Sequence, residues 1–195
     1  MTTLLNLDRS LTDQFYDLIW ANSAMQQLTH FLATYLIYFL PLMLLYFFFL
    51  NKKRLVATKV FFGVILTWKV YSSLIGTFFY TFYGFRDRPF ASKGIAELFF
   101  EQPHKAFPSD HAAVLMFLTL ILFEYRQSRW AQLFLVLTIL STLARVGIGF
   151  HYFGDIAGGL LVGYLGYLTI KYLDGIIDKY LTRINWLKSN DEQPS

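Results

Sequence analysis

The chain has 195 residues, 55% hydrophobic and 19% aromatic, with a formal net charge of +4 and no cysteine. That is far more apolar than a soluble domain of this length needs, which excludes an ordinary soluble globular protein, and the lack of cysteine excludes disulfide and thiol chemistry. A small positive charge on so apolar a chain reflects membrane topology, so no nucleic-acid partner is expected.

Taken in chain order, the first 25 residues place Leu4, Leu7, Leu11, Phe15 and Leu18 at helical spacing, with Asp8, Arg9, Asp13 and Asp17 between them. This pattern suits an amphipathic helix lying at the membrane interface, assigned to residues 1–28. It has neither the basic start nor the cleavage site of a removable signal peptide. Residues 31–50, FLATYLIYFLPLMLLYFFFL, then run without a charge, and a helix of that length reaches about 30 Å, the thickness of a bilayer's hydrocarbon core. Backbone groups in lipid must be paired within the segment, so this is a spanning helix.

Four more apolar runs follow, near residues 60–82, 110–125, 130–149 and 155–173. The expected fold is therefore an all-α integral membrane protein, a bundle of about five transmembrane helices behind the interfacial helix. No repeat or linker divides it, so residues 1–195 form one domain, with a membrane core over 29–175 and a polar tail over 176–195. Small residues on the last span, Gly158, Gly159, Gly163 and Gly166, should let helices approach closely. Lys69, near the middle of the second span, should face a partner or a cavity.

Folding the chain back and forth divides its cations. Lys52, Lys53, Arg54, Lys59, Arg126, Arg129, Lys171, Lys179, Arg183 and Lys188 fall on one side; Arg9, Arg86, Arg88, Lys93, Lys105 and Arg145 fall on the other. The richer side should be cytoplasmic, with the C-terminus there and the second group outside.

Three polar clusters return to that outer surface: GFRDRPF at 84–90, FPSDH at 107–111 and RVGIGFHYFGD at 145–155. Together they supply arginines suited to gripping phosphate oxygens through paired donors. Ser109 and Asp110, after Pro108, stand where a helix would begin, and a helix start favours an anion. His111 follows in the first turn. His151 and Asp155, four residues apart, would share a helical face, which lets the carboxylate fix the imidazole's tautomer. One histidine can then attack phosphorus while the other protonates the departing oxygen. Each cluster alone also has a plainer reading: His111 beside a helix cap, His151 with Asp155 as a structural polar pair, and Arg86 and Arg88 as headgroup anchors.

Taken jointly, Arg88-Pro89, Pro108-Ser109-Asp110-His111, and Arg145 followed by His151 and Asp155 resemble the three-part signature of the type 2 phosphatidic acid phosphatase superfamily. The RPF and FPSDH wording is most similar to its bacterial undecaprenyl-diphosphate phosphatases. The resemblance implies that His151 is the nucleophile forming a phosphohistidine and that Asp155 orients it. It implies that His111 is the general acid and later the base, and that Arg88, Arg145 and Ser109 hold the phosphoryl oxygens. It implies no metal and no cofactor, an isoprenoid or glycerophospholipid phosphate as substrate, and an active site on the outer face of the bacterial cytoplasmic membrane.

Two positions depart from the family pattern. Thr81 stands where a lysine is usual, and Ala144 where a serine precedes the arginine. Arg86 is the expected substitute for the lysine. Asp110, in place of a commoner glycine, puts negative charge beside an anion site and should cap the helix or pair with a cation. Undecaprenyl diphosphate is the expected substrate, with phosphatidylglycerophosphate or phosphatidate as alternatives, and a non-catalytic lipid binder or transporter as a reading of another class.

Overall fold

The computed structural model describes residues 2–50, 53–84, 86–94 and 104–181. Among them the regular structure is helix, joined by short loops, apart from a single antiparallel bridge between Asp87 and His104. The masses of helix are α1 (Thr2–Trp20), α2 (Ser23–Leu50), α3 (Arg54–Tyr83), α4 (Asp110–Glu124), α5 (Ser128–Gly147) and α6 (Phe153–Leu181).

Four of these, α2, α3, α5 and α6, are long and apolar enough to cross a membrane. The fifth expected span, α4, has 15 residues, about 22 Å of helix, and it occupies the centre of the bundle between α5 and α6. Its short length and all-round burial belong together. Val114, Leu115, Phe117, Leu118, Ile121 and Leu122 are all buried, because neighbouring helices rather than lipid surround it.

The N-terminal helix stops earlier than residue 28. Asn22 accepts hydrogen bonds from the N–H groups of Ala24 (2.8 Å) and Met25 (3.3 Å) and so caps a new helix, a side chain suited to satisfying orphan donors. The first span therefore begins at Ser23 rather than Phe31. On α1 the leucines Leu4, Leu7, Leu11 and Leu18 are exposed, whereas Thr12, Tyr16 and Ile19 are buried against the bundle. Lys93, from the turn Pro89–Ser92 and its flank, ties α1 down through Asp13 and Asp17, each at 3.3 Å.

Local irregularities have local causes. Pro41 lacks an N–H and its ring crowds the carbonyl four residues back, and the helix narrows to a 3-10 stretch at Leu36–Tyr38 just before it. A π stretch, Leu66–Ser72, interrupts α3 and carries Lys69. Lys69, expected to face a partner or a cavity, is exposed and has Nζ 3.8 Å from the ring centroid of Trp68, a cation–π contact.

Two glycines bring α6 onto α4. A Cβ at Gly159 would strike the carbonyl oxygen of Ser109, and one at Gly163 that of Ala113, so only glycine allows this backbone spacing. Beyond residue 175 the helix continues to Leu181, and its end is tied to α3: buried Lys59 lies 2.8 Å from Asp174 and 2.5 Å from Asp178. Residues 182–195, most of the expected tail, lie outside the described residues.

Candidate active site

The three polar clusters meet, and backbone hydrogen bonds join them. Ala106 donates its N–H to the carbonyl of Arg86 (3.3 Å), Phe90 to that of Gly149 (3.1 Å), and Ser109 to that of Asp155 (3.1 Å). His104 and Asp87 add a side-chain contact of 2.8 Å across the bridge between the first two clusters. Gly149 makes the third cluster possible. After α5 ends it adopts φ +89, a left-handed conformation that glycine enters without a Cβ penalty.

His151 sits in the segment between α5 and α6 and is 2% exposed. Its Nδ1 lies 2.8 Å from the carbonyl oxygen of Ala106. A carbonyl only accepts, so Nδ1 carries the proton and Nε2 keeps its lone pair. Nε2 faces the guanidinium of Arg145, whose Nη2 is 3.3 Å away. Burial, reinforced by the positive charges of Arg145 and Arg88, holds the imidazole pKa well below the usual histidine range. With Nδ1–H on a carbonyl and Nε2 turned to a guanidinium, the ring is held in its neutral form.

Asp155 does not take the place expected for it beside His151 Nδ1, from which it is 3.9 Å distant. One carboxylate oxygen accepts the backbone N–H of Tyr152 at 2.8 Å, the third helical residue bonding back to the residue before the helix. The other accepts from Arg86 Nη1 at 3.2 Å. Asp155 thus fixes the start of α6, and the Ala106 carbonyl holds the imidazole.

Arg86 also lies elsewhere than expected. Nη2 is 2.5 Å from Asp8 on α1, Nη1 bonds Asp155, and the guanidinium is stacked 3.6 Å from the ring centroid of Tyr152. Asp8 accepts in turn from the N–H of Gly154 at 3.0 Å, so α1 is pinned to the start of α6. Two carboxylates occupy the nitrogens that a phosphate would need.

Arg88 and Arg145 are buried and aimed by backbone carbonyls. Arg88 Nη1 donates to Phe150 (3.0 Å) and Arg145 Nη1 to Ala33 of α2 (3.0 Å). Ser109 precedes α4 without capping it, and its hydroxyl is buried with no protein partner among the described residues. A buried hydroxyl of this kind needs an acceptor or donor from elsewhere. His111 stands on the first turn of α4, two residues after Ser109, and is half-buried. Pro108 and Phe107 precede the helix and carry the chain from Ala106 to Ser109. Asp110 accepts from Ser72 of α3, and its second oxygen is 3.8 Å from Lys105.

A cavity of about 1350 Å³ opens beside this cluster, between α1 and the Ser73–Tyr83 end of α3. Leu4, Leu7, Phe79 and Phe107 form its apolar walls, and it reaches Ala106, Arg86 and Tyr152.

Buried arginines around a neutral histidine, an unpartnered serine hydroxyl at a helix start and an adjoining apolar cavity define a membrane-embedded site for an anionic group on an apolar molecule. The chain belongs to the PAP2 superfamily, whose model matches residues 59–175. It is 26% identical over 151 residues to the bacitracin transport permease protein BcrC of Bacillus licheniformis, covering 76% of this chain and 71% of that protein. It is 30% identical over 87 residues to the putative undecaprenyl-diphosphatase YbjG of Escherichia coli (strain K12), 45% and 44% of the two chains. It is 27% identical over 105 residues to the undecaprenyl-diphosphatase BcrC of Bacillus subtilis (strain 168), 53% of each. No solved structure matches the chain significantly.

Ala106 and Asp8 escaped the sequence reading. The first acts through a backbone carbonyl, which any residue has; the second is one acidic residue among several on an amphipathic helix, and nothing local marks it as a partner of Arg86.

Proposed function

We propose that this protein is a membrane lipid phosphatase that hydrolyses undecaprenyl diphosphate to undecaprenyl phosphate and inorganic phosphate. The observation that carries this reading is the setting of His151, with Nδ1 held by Ala106 and the Nε2 lone pair facing Arg145. In the first step Nε2 attacks the terminal phosphorus. A P–N bond forms, the bond to the bridging oxygen breaks, and undecaprenyl phosphate departs with the electron pair and a proton from His111. In the second step His111 removes a proton from water, the resulting oxygen attacks the phosphohistidine, and phosphate leaves with the imidazole restored. Arg88, Arg145 and the Ser109 hydroxyl hold the phosphoryl oxygens and stabilise the charge that gathers on them. The scheme asks nothing of a metal or cofactor.

Family membership and relatives named undecaprenyl-diphosphatase support the substrate class. The adjoining cavity supports a long hydrocarbon tail. The asymmetry of lysines and arginines supports a site on the outer face of a bacterial cytoplasmic membrane, with the C-terminus inside.

The test is phosphate release by the purified protein in detergent with EDTA, comparing undecaprenyl diphosphate, phosphatidylglycerophosphate and phosphatidate. Rapid release from the first, chelator notwithstanding, is the expected result. Release only from a glycerolipid would change the substrate, and binding without release from any of the three would make the protein a lipid binder.

A further inference from the structure

Resting on that reading, we infer that Lys105 grips the leaving phosphate of a diphosphate lipid and thereby selects diphosphates over phosphate monoesters. Thr81, where a lysine was missing, turns onto its own helix and donates to the carbonyl of Thr77 at 2.9 Å. Arg86 is engaged by Asp8 and Asp155. Lys105 is placed differently. It lines the cavity, its side chain is 52% exposed, and among the described residues it lies 3.8 Å from the carboxylate of Asp110, which also accepts from Ser72.

Backbone geometry couples this lysine to the nucleophile. Lys105 has φ 83, a left-handed conformation that costs a residue with a Cβ and marks an over-determined position. The very next residue is Ala106, whose carbonyl holds His151 Nδ1. The same turn that presents the carbonyl to the histidine brings Lys105 to the lining of the cavity.

Attack by His151 at the terminal phosphorus leaves the second phosphate attached to the hydrocarbon tail. With the tail among Leu4, Leu7, Phe79 and Phe107, that phosphate lies where the cavity reaches Ala106 and Lys105. As the P–O bond breaks, the electron pair moves onto it, and an ammonium within reach stabilises the growing charge. A monoester departs as an alcohol and has no phosphate there to hold. Arg9 also lines the cavity, from α1.

The experiment measures kcat/KM of the purified full chain for farnesyl diphosphate and for phosphatidate, with Lys105→Met, Lys105→Arg and, for comparison, Arg9→Met. Inhibition by inorganic pyrophosphate and by orthophosphate is the second readout. Lys105→Met should lower kcat/KM for the diphosphate at least about tenfold, the loss expected for a charge-assisted contact, and about fivefold more than for phosphatidate. Lys105→Arg should recover most of it, and pyrophosphate inhibition should weaken far more than orthophosphate inhibition. Equal losses on both substrates, unchanged pyrophosphate inhibition, or a larger effect from Arg9→Met would overturn the assignment. A wild type that releases phosphate from neither of these, nor from undecaprenyl diphosphate, would bring down the phosphatase reading and this one with it. An active wild type matched by Lys105→Met would bring down the Lys105 assignment alone.

Discussion

His151 Nδ1 is 2.8 Å from the carbonyl oxygen of Ala106 and 3.9 Å from the carboxylate of Asp155, so a backbone atom orients the imidazole. Removing the imidazole should therefore have a far larger effect than altering the carboxylate. His151→Ala is expected to abolish phosphate release while the protein still inserts and purifies as a folded species. Full activity in that variant would sink the phosphohistidine mechanism.

Asp155→Asn keeps a group able to accept from the Tyr152 N–H but loses the charge that meets Arg86. Its expected effect is a loss of roughly a hundredfold in kcat, less than that of His151→Ala, with a lowered melting temperature. A loss equal to that of His151→Ala would mean that the carboxylate acts directly on the imidazole.

Asp8 and Arg86 should behave as one unit, because their contact is partly buried and joins α1 to the start of α6. Asp8→Ala and Arg86→Ala are each expected to lower activity. The double variant should resemble the worse single one, with a coupling of about 1–3 kcal/mol in a thermal-stability cycle. Simple additivity would show that α1 is not held through this pair.

Burial lowers the His151 pKa in the folded state, whereas an unfolded histidine titrates near 6.5. Between those two values the unfolded chain binds more protons than the native one, so stability rises with pH in that window. The contribution is complete above about pH 6.5 and is lost progressively as pH falls toward the depressed native value. Melting temperatures between pH 7.5 and 5.5 should fall more steeply for the wild type than for His151→Asn; parallel curves would rule this linkage out.

Gly159→Ala places a Cβ against the Ser109 carbonyl at the start of α4. A destabilisation of about 1–3 kcal/mol is expected from forcing α6 and α4 apart, with activity falling too, because Ser109 belongs to the candidate phosphate site. Thermal melting in detergent checks this, and an unchanged melting temperature would contradict the packing.

The helices were legible in the sequence because lipid imposes a harsh rule: unbroken apolar runs must pair their own backbone groups. Residues 31–50 carry that rule plainly and residues 60–82 carry it around the single charge of Lys69, and the structure extends each helix by several residues. Boundaries were less legible. The cap at Asn22 ends the interfacial helix before residue 28, yet its side chain looks like that of any loop asparagine until its bonds are seen. The convergence of Arg88, Ser109, His111, Arg145 and His151 was readable from motif order and alternating topology.

By itself the sequence determined the all-helical membrane architecture, the clustering of two histidines with arginines at one end of it, and the glycines on which α6 approaches α4. Only the tertiary structure decided which atom holds His151, why Arg86 is engaged elsewhere, and that Lys105 faces the cavity. The physical reason is the same in each case. Periodicity and residue type report how a side chain meets its own helix and solvent, whereas the reach of a carbonyl at Ala106 or a carboxylate at Asp8 depends on how distant segments pack together.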